Sequence, residues 1–264
     1  MEKFIIDNFQ EILIEEGNWK IISNGNPLAV VPENLFKYYC LNENNIDALQ
    51  NGYFYLSNPK HFNDPFDCSK NLIFENQREL KDWEYVESLN NLNDKGITCF
   101  SENGIQPLMW GHYTNSYRGF AIKLKPEFII PNNNLSKLLK VVYSNNPNSI
   151  SEKSAFAEQY QFIIKLEDWK YENEWRLIVN NPKENNNRFI YNLNAIEEIL
   201  IGYQIFDPRN ESEVILRDNF FKVLTNQFQG IPLFTIGPDQ TKFTLKKMKF
   251  KFGTVEDLLG RFKT

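Results

Sequence analysis

The chain has 264 residues, a formal net charge of −5 and a hydrophobic fraction of 42%, enough for one large packed domain or two small ones. The acidic balance argues against a general coat for duplex nucleic acid, whose phosphates call for a basic surface. Cys40, Cys68 and Cys99 are scattered, form no Cys-x-x-Cys, and have only His61 and His112 as possible co-ligands; this argues against a zinc site or a disulfide framework and for a reducing compartment.

The first residues, MEKFIIDNFQEILIEEGNW, are acidic and their apolar positions are interrupted, unlike a secretory signal. No apolar run approaches the length of a membrane span. The expectation is a cytoplasmic protein without a membrane partner. Phe4, Ile5, Ile12 and Leu13 stand at near-helical spacing, which predicts a short amphipathic helix over residues 3–16. Trp19–Ile22 reads as a short strand, and residues 1–33 as a helical extension in front of one α+β domain spanning 34–264.

Leu35–Cys40 is short and aromatic and reads as a strand. Asn42 is placed to cap a helix over Glu43–Asn51, which Gly52 closes. Tyr53–Ser57 is a second strand. Asn58–Asp67 is rich in turn formers, a loop that burial of Phe62 and Phe66 would pin. A surface helix is expected over 75–92, a strand over Gly96–Ser101 and a short helix over Pro107–Tyr113, with Pro107 in its first turn. Strands follow at Gly119–Leu124 and Leu138–Tyr143, then a helix over 151–166.

Lys165–Val179 joins a loop to a β-prone run. A strand beginning near Glu172 would put Glu172, Glu174 and Arg176 on one face, with Trp175 and Leu177 on the other. Arg188–Leu193 is a strand, and Ile196–Ile201 is a strand or a helix. A long helix is expected over Asp207–Phe228, and a closing strand pair at Ile231–Ile236 and Thr241–Phe250. Lys246, Lys247, Lys249 and Lys251 alternate with Met248, Phe250 and Phe252, the pattern of a lysine-protected edge strand or of a contact for an anionic substrate. Helices and strands mix without strict βαβ alternation, so the class is α+β.

Glycine-rich phosphate cradles, a Gly-x-Ser-x-Gly elbow and matched cysteine–histidine signatures are missing. What remains is aromatic faces, Ser101 and the pair Glu172 and Glu174. That set suits cleavage of an N-glycosidic bond, in which a carboxylate grips the sugar 2-OH as positive charge develops. Each member also has a plainer explanation. Glu172, Glu174 and Arg176 suit a salt-bridged strand edge, Asp64 a stiff turn, Ser101 a strand-end cap, and Trp110 and His112 a helix laid on the core.

The order Leu35-Phe-Lys-Tyr38, Leu56-Ser-Asn-Pro with Phe62-Asn-Asp-Pro-Phe-Asp67, Cys99-Phe-Ser101, Met109-Trp-Gly-His-Tyr113, Gly119-Phe-Ala-Ile122, then Trp169 with Tyr171-Glu-Asn-Glu-Trp-Arg176 resembles a widespread bacterial domain-of-unknown-function family over residues 35–205. More distantly, the layout is similar to the ADP-ribosyltransferase superfamily. That likeness implies a split β-sandwich of mainly antiparallel sheets with flanking helices. It implies NAD as a substrate, no metal, and transfer of ADP-ribose to a protein or nucleic acid. A toxin or phage-defence effector with a neutralising antitoxin partner would fit such an activity.

By position, the likeness makes Glu174 the catalytic carboxylate, Glu172 the acceptor-orienting one and Ser101 the middle-strand residue. Lys37, Tyr38, Asn63, Asp64, Trp110, His112, Tyr113 and Arg176 are candidate NAD contacts, Asp64, Trp110 and His112 without a counterpart in the superfamily; Tyr113 is a possible stack for the nicotinamide and the alternative to Ser101 in the middle-strand role. The chain departs from the pattern on its first core strand, where Lys37 stands in place of an Arg or His. Transfer to water, as in an NAD glycohydrolase, and a non-catalytic ligand- or partner-binding module are the alternatives.

Overall fold

The computed structural model describes residues 2–7, 10–15, 18–23, 26–27, 32, 34–69, 92–129, 136–145 and 157–250. The helix expected over 75–92 lies outside these residues except for Leu92, as do Lys251 and Phe252 of the basic run.

The chain opens with four strands, β1 (Glu2–Asp7), β2 (Gln10–Glu15), β3 (Asn18–Ser23) and β4 (Asn26–Pro27), paired in that order. The helical extension expected over residues 3–16 is therefore corrected to a β-hairpin. In its register Phe4 faces Ile12 and Lys3 faces Leu13. The interval that reads as helical is equally a hairpin's pairing distance, and isoleucine is stiff at χ1 and favours strands. The strand expected at Trp19–Ile22 lies within β3.

Strand β5 (Leu35–Tyr39) leads into helix α1 (Glu43–Asn51). The Asn42 side chain accepts the Asn45 N–H at 2.8 Å, satisfying one donor that a helix start leaves open. Gly52 ends the helix at φ 66°, where a side chain would be strained. After β6 (Tyr53–Tyr55), a single 3₁₀ turn, Pro59–His61, opens the loop. Phe62 is half-buried, but Phe66 is 67% exposed. The expectation that both rings anchor the loop holds only for the first.

Strand β7 (Lys95–Ser101), helix α2 (Pro107–Tyr113) and strand β8 (Phe120–Leu124) follow. The single strand expected over 138–143 is two, β9 (Ser136–Lys140) and β10 (Val142–Tyr143). Val141 separates them and gives its N–H to the Glu174 carbonyl at 2.9 Å. Helix α3 (Ala157–Ile163) runs into β11 (Ile164–Lys165), and a 3₁₀ segment, Glu167–Glu172, precedes β12 (Glu174–Asn180). Then come β13 (Arg188–Ile190), β14 (Ile196–Gly202), helix α4 (Glu211–Gln227), β15 (Leu233–Pro238) and β16 (Leu245–Lys249). Residues 196–201 are thus strand, and α4 starts at the Asn210 cap.

Two compact units share the chain. One takes residues 1–32, 56–99 and 130–188, the other 33–55, 100–129 and 189–264. In the first, β12 pairs antiparallel with β9 from Trp175↔Lys140 to Val179↔Ser136, and β10 pairs parallel with β11. Ile97, Leu139, Val142, Tyr160, Phe162, Ile163, Ile164 and Ile178 close its core, the apolar burial that drives folding.

In the second unit the strand order is β16, β15, β14, β8, β5. Only β14 and β15 run parallel; the other neighbours are antiparallel. Phe120 of β8 stacks on Phe220 of α4 at 4.7 Å. Lys247, on the outermost strand of this order, pairs with Glu198 and lies 4.0 Å over the Phe234 ring, consistent with a lysine-protected edge. The fold is α+β with mixed, mostly antiparallel sheets. Among the described residues no helix is long and apolar enough to cross a membrane.

Candidate functional site

Glu174 and Arg176 point to the same side of β12, as strand alternation requires. Glu172 does not extend that strand. Asn173 takes a left-handed conformation, φ 42°, and Glu172 ends the preceding 3₁₀ segment. The shared face expected for all three residues is therefore reached by a turn instead of by strand periodicity. Lys165 of β11 closes the gap. Its Nζ lies 2.5 Å from Glu172 Oε2 and 2.9 Å from Glu174 Oε2.

Arg176 is fully buried, and all five of its N–H donors are spent. Nη1 and Nη2 grip Asp67 Oδ1 and Oδ2, each at 2.7 Å. Nε reaches Glu174 Oε1 at 2.7 Å and Nη2 reaches Glu174 Oε2 at 3.1 Å. The remaining Nη1 proton goes to the Phe162 carbonyl at 2.8 Å. A guanidinium has five such donors in a rigid fork, so this one is saturated. Its plane also lies 5.3 Å over the Phe62 ring. A neighbouring thiol lies close as well: Cys68 Sγ sits 3.5 Å from Arg176 Nη1.

Asp67, Glu172 and Glu174 thus face Lys165 and Arg176, three carboxylates against two cations, all inside the first unit. Burial works to raise the Glu174 pKa, but Arg176 and Lys165 outweigh it and hold the carboxyl well below the usual range. Burial likewise disfavours the Lys165 charge, and Glu174, Glu172 and Asp67 overcome it, so its pKa lies above the ordinary lysine value. Burial pushes the Cys68 thiol up, leaving a poor nucleophile. Tyr143 accepts the Glu174 N–H at 2.9 Å and fixes the start of the strand.

Asn63 and Asp64 also lie in the first unit. Asn63 is exposed, while Asp64 is buried and its Oδ1 accepts the Phe66 N–H at 2.9 Å, an Asx turn. Lys37, Tyr38, Ser101, Trp110, His112 and Tyr113 belong to the second unit. Ser101 is buried, and its Oγ accepts the Asn103 N–H at 3.0 Å. Tyr38 donates to the Asn103 carbonyl at 2.6 Å and meets Trp110 edge-on at 5.4 Å. Trp110 is fully buried and gives Nε1–H to the Gly104 carbonyl at 2.9 Å. Lys37 Nζ lies 5.9 Å from the ring centres of Tyr39 and Phe100. His112 is exposed in the last turn of α2, 6.4 Å from the Tyr113 ring.

Sequence reasoning singled out Glu174, Glu172 and Arg176, which do meet. It missed their partners Asp67 and Lys165, although Asp67 ends the Asn63-Asp-Pro-Phe-Asp67 run and Lys165 opens the stretch that holds the two glutamates. Unpaired, two buried glutamates and an arginine would be costly; that demand was the signal for further charged partners. Among the described residues no cluster of His, Cys, Asp or Glu could hold a metal ion.

A family model described as Protein of unknown function (DUF2971) matches residues 109–177. That span takes in Met109–Tyr113 of α2 and, of the ion network, Lys165, Glu172, Glu174 and Arg176 but not Asp67. No curated protein and no solved structure matches the chain.

Proposed function

We propose that the protein is a non-catalytic ligand- or partner-binding module, in which Glu172, Glu174 and Arg176 form the structural ion network of the first unit. One observation carries this reading. Both Glu174 oxygens are taken, Oε1 by Arg176 and Oε2 by Arg176 and Lys165, on a side chain 4% exposed. A carboxylate that works on a sugar hydroxyl must present an oxygen to it. Here each is engaged by a cation that burial holds in place, and breaking such a set is strongly destabilising. Incubation of the purified protein with NAD, with analysis for nicotinamide and ADP-ribose, tests the reading. It predicts no NAD turnover.

A second reading, NAD-dependent ADP-ribosyl transfer to a protein or nucleic acid or hydrolysis of NAD, draws on a different observation. Glu172 and Glu174 are joined by one flexible side chain, Lys165, and the Glu174 pKa is strongly perturbed. Perturbed buried carboxylates concentrate at catalytic sites as well as in ion networks. Withdrawal of Lys165 would free a Glu-x-Glu pair for a ribose. On this reading the wild type releases nicotinamide, and Glu174→Gln loses that activity without unfolding.

A further inference from the structure

The turn Asn63–Cys68 holds two features that the ion network does not account for. Asp64 is 6% exposed, and while its Oδ1 is bound by the Phe66 N–H, its Oδ2 is buried and receives no hydrogen bond. A carboxylate oxygen shut away from water without a donor is among the costlier groups a fold can carry. Arg176 cannot supply the donor, since its five N–H groups go to Asp67, Glu174 and Phe162. Two residues further on, Phe66 is 67% exposed, with Asn63 and Pro65 exposed beside it. The turn itself is ordered: the Asp67 N–H bonds the Asp64 carbonyl at 3.1 Å, and Asp67 is held by Arg176.

A carboxylate oxygen lacking a donor and an exposed aromatic ring, two residues apart on an ordered turn, are complementary to one kind of guest. We propose that this turn binds a flat organic cation, with its ring against Phe66 and its positive charge drawn toward Asp64. The ring face attracts a cation through its quadrupole, and the Asp64 carboxyl group beside it offers an oxygen that still lacks a donor. The inference does not depend on the role of Glu174, which the NAD and stability measurements test separately.

The test is an NMR titration of the full chain with benzamidinium chloride, a flat cation with N–H donors, using benzyl alcohol as the uncharged control. The expected result is saturating shifts centred on residues 63–68 with the cation and none with the alcohol. Phe66→Ala should weaken binding by about two- to fivefold, the scale of one exposed cation–aromatic contact, and Asp64→Asn should weaken it as well. Phe66→Ala trims an exposed side chain, and Asp64→Asn keeps an oxygen for the Phe66 N–H, so both variants should fold. No saturating shift in the wild type, an equal response to the alcohol, or binding that survives both substitutions would overturn the proposal.

Discussion

Arg176 and Asp67 meet through two parallel hydrogen bonds of 2.7 Å across 109 positions of sequence. This paired contact ties the Asn63–Cys68 turn to strand β12. Asp67→Ala would leave a fully buried guanidinium short of two acceptors. The expected cost is about 3–5 kcal/mol, the usual range for a broken buried ion pair. Urea unfolding measures it, and a loss below about 1 kcal/mol, the exposed-pair level, would mean that the contact is not buried in solution.

Lys165 joins Glu172 and Glu174, so substitutions at Lys165 and Glu174 should not add. A cycle of Lys165→Met, Glu174→Gln and the double variant should show a coupling of about 0.5–3 kcal/mol, as for residues in one network. Additive losses would place the two side chains apart.

Acid should weaken the first unit. The folded pKa of Glu174 lies below its unfolded value of about 4.3. Its stabilisation is therefore present above that pH and fades as pH falls through the folded pKa. Lys165 has the opposite sign: its folded pKa lies above the unfolded value of about 10.4. Its contribution is present below that pH and is lost as pH rises through the folded pKa. The urea midpoint should be flat near neutrality and fall on both sides. A midpoint that rises between about pH 5 and 3 would contradict the Glu174 assignment.

Gly119→Ala tests the second unit. A methyl group there would stand 2.0 Å from the Tyr39 carbonyl oxygen, and backbone on both sides of the β5–β8 pair would have to part. The expected loss is about 3 kcal/mol or more, the upper end for overpacking, read as a lower thermal midpoint. An unchanged midpoint would mean that the two strands are more loosely paired than β5 and β8 are here.

Much of the fold was legible where local chemistry decides it. Asn42 and Gly52 mark both ends of α1, and Pro107 the start of α2. The N-terminal hairpin was misread because Phe4, Ile5, Ile12 and Leu13 satisfy both a helical interval and a hairpin register, and short apolar runs do not separate the two. The site was legible only in part. Glu174 and Arg176 announce themselves by two-residue spacing, whereas Asp67 reaches Arg176 from a distant turn and no local pattern encodes that pairing. Glu172 joins through the left-handed Asn173, a break that a strand-period reading passes over. Phe66 was expected inside because large aromatics usually are, and its exposure became informative only with Asp64 buried beside it.

The most direct test of the account is nicotinamide release from NAD by the purified wild-type protein, measured alongside the thermal midpoint of Glu174→Gln. A structural Glu174 predicts no nicotinamide release and a clearly lowered midpoint for the variant. Nicotinamide released by the wild type, and lost in a Glu174→Gln protein that remains as stable as the parent, would contradict it.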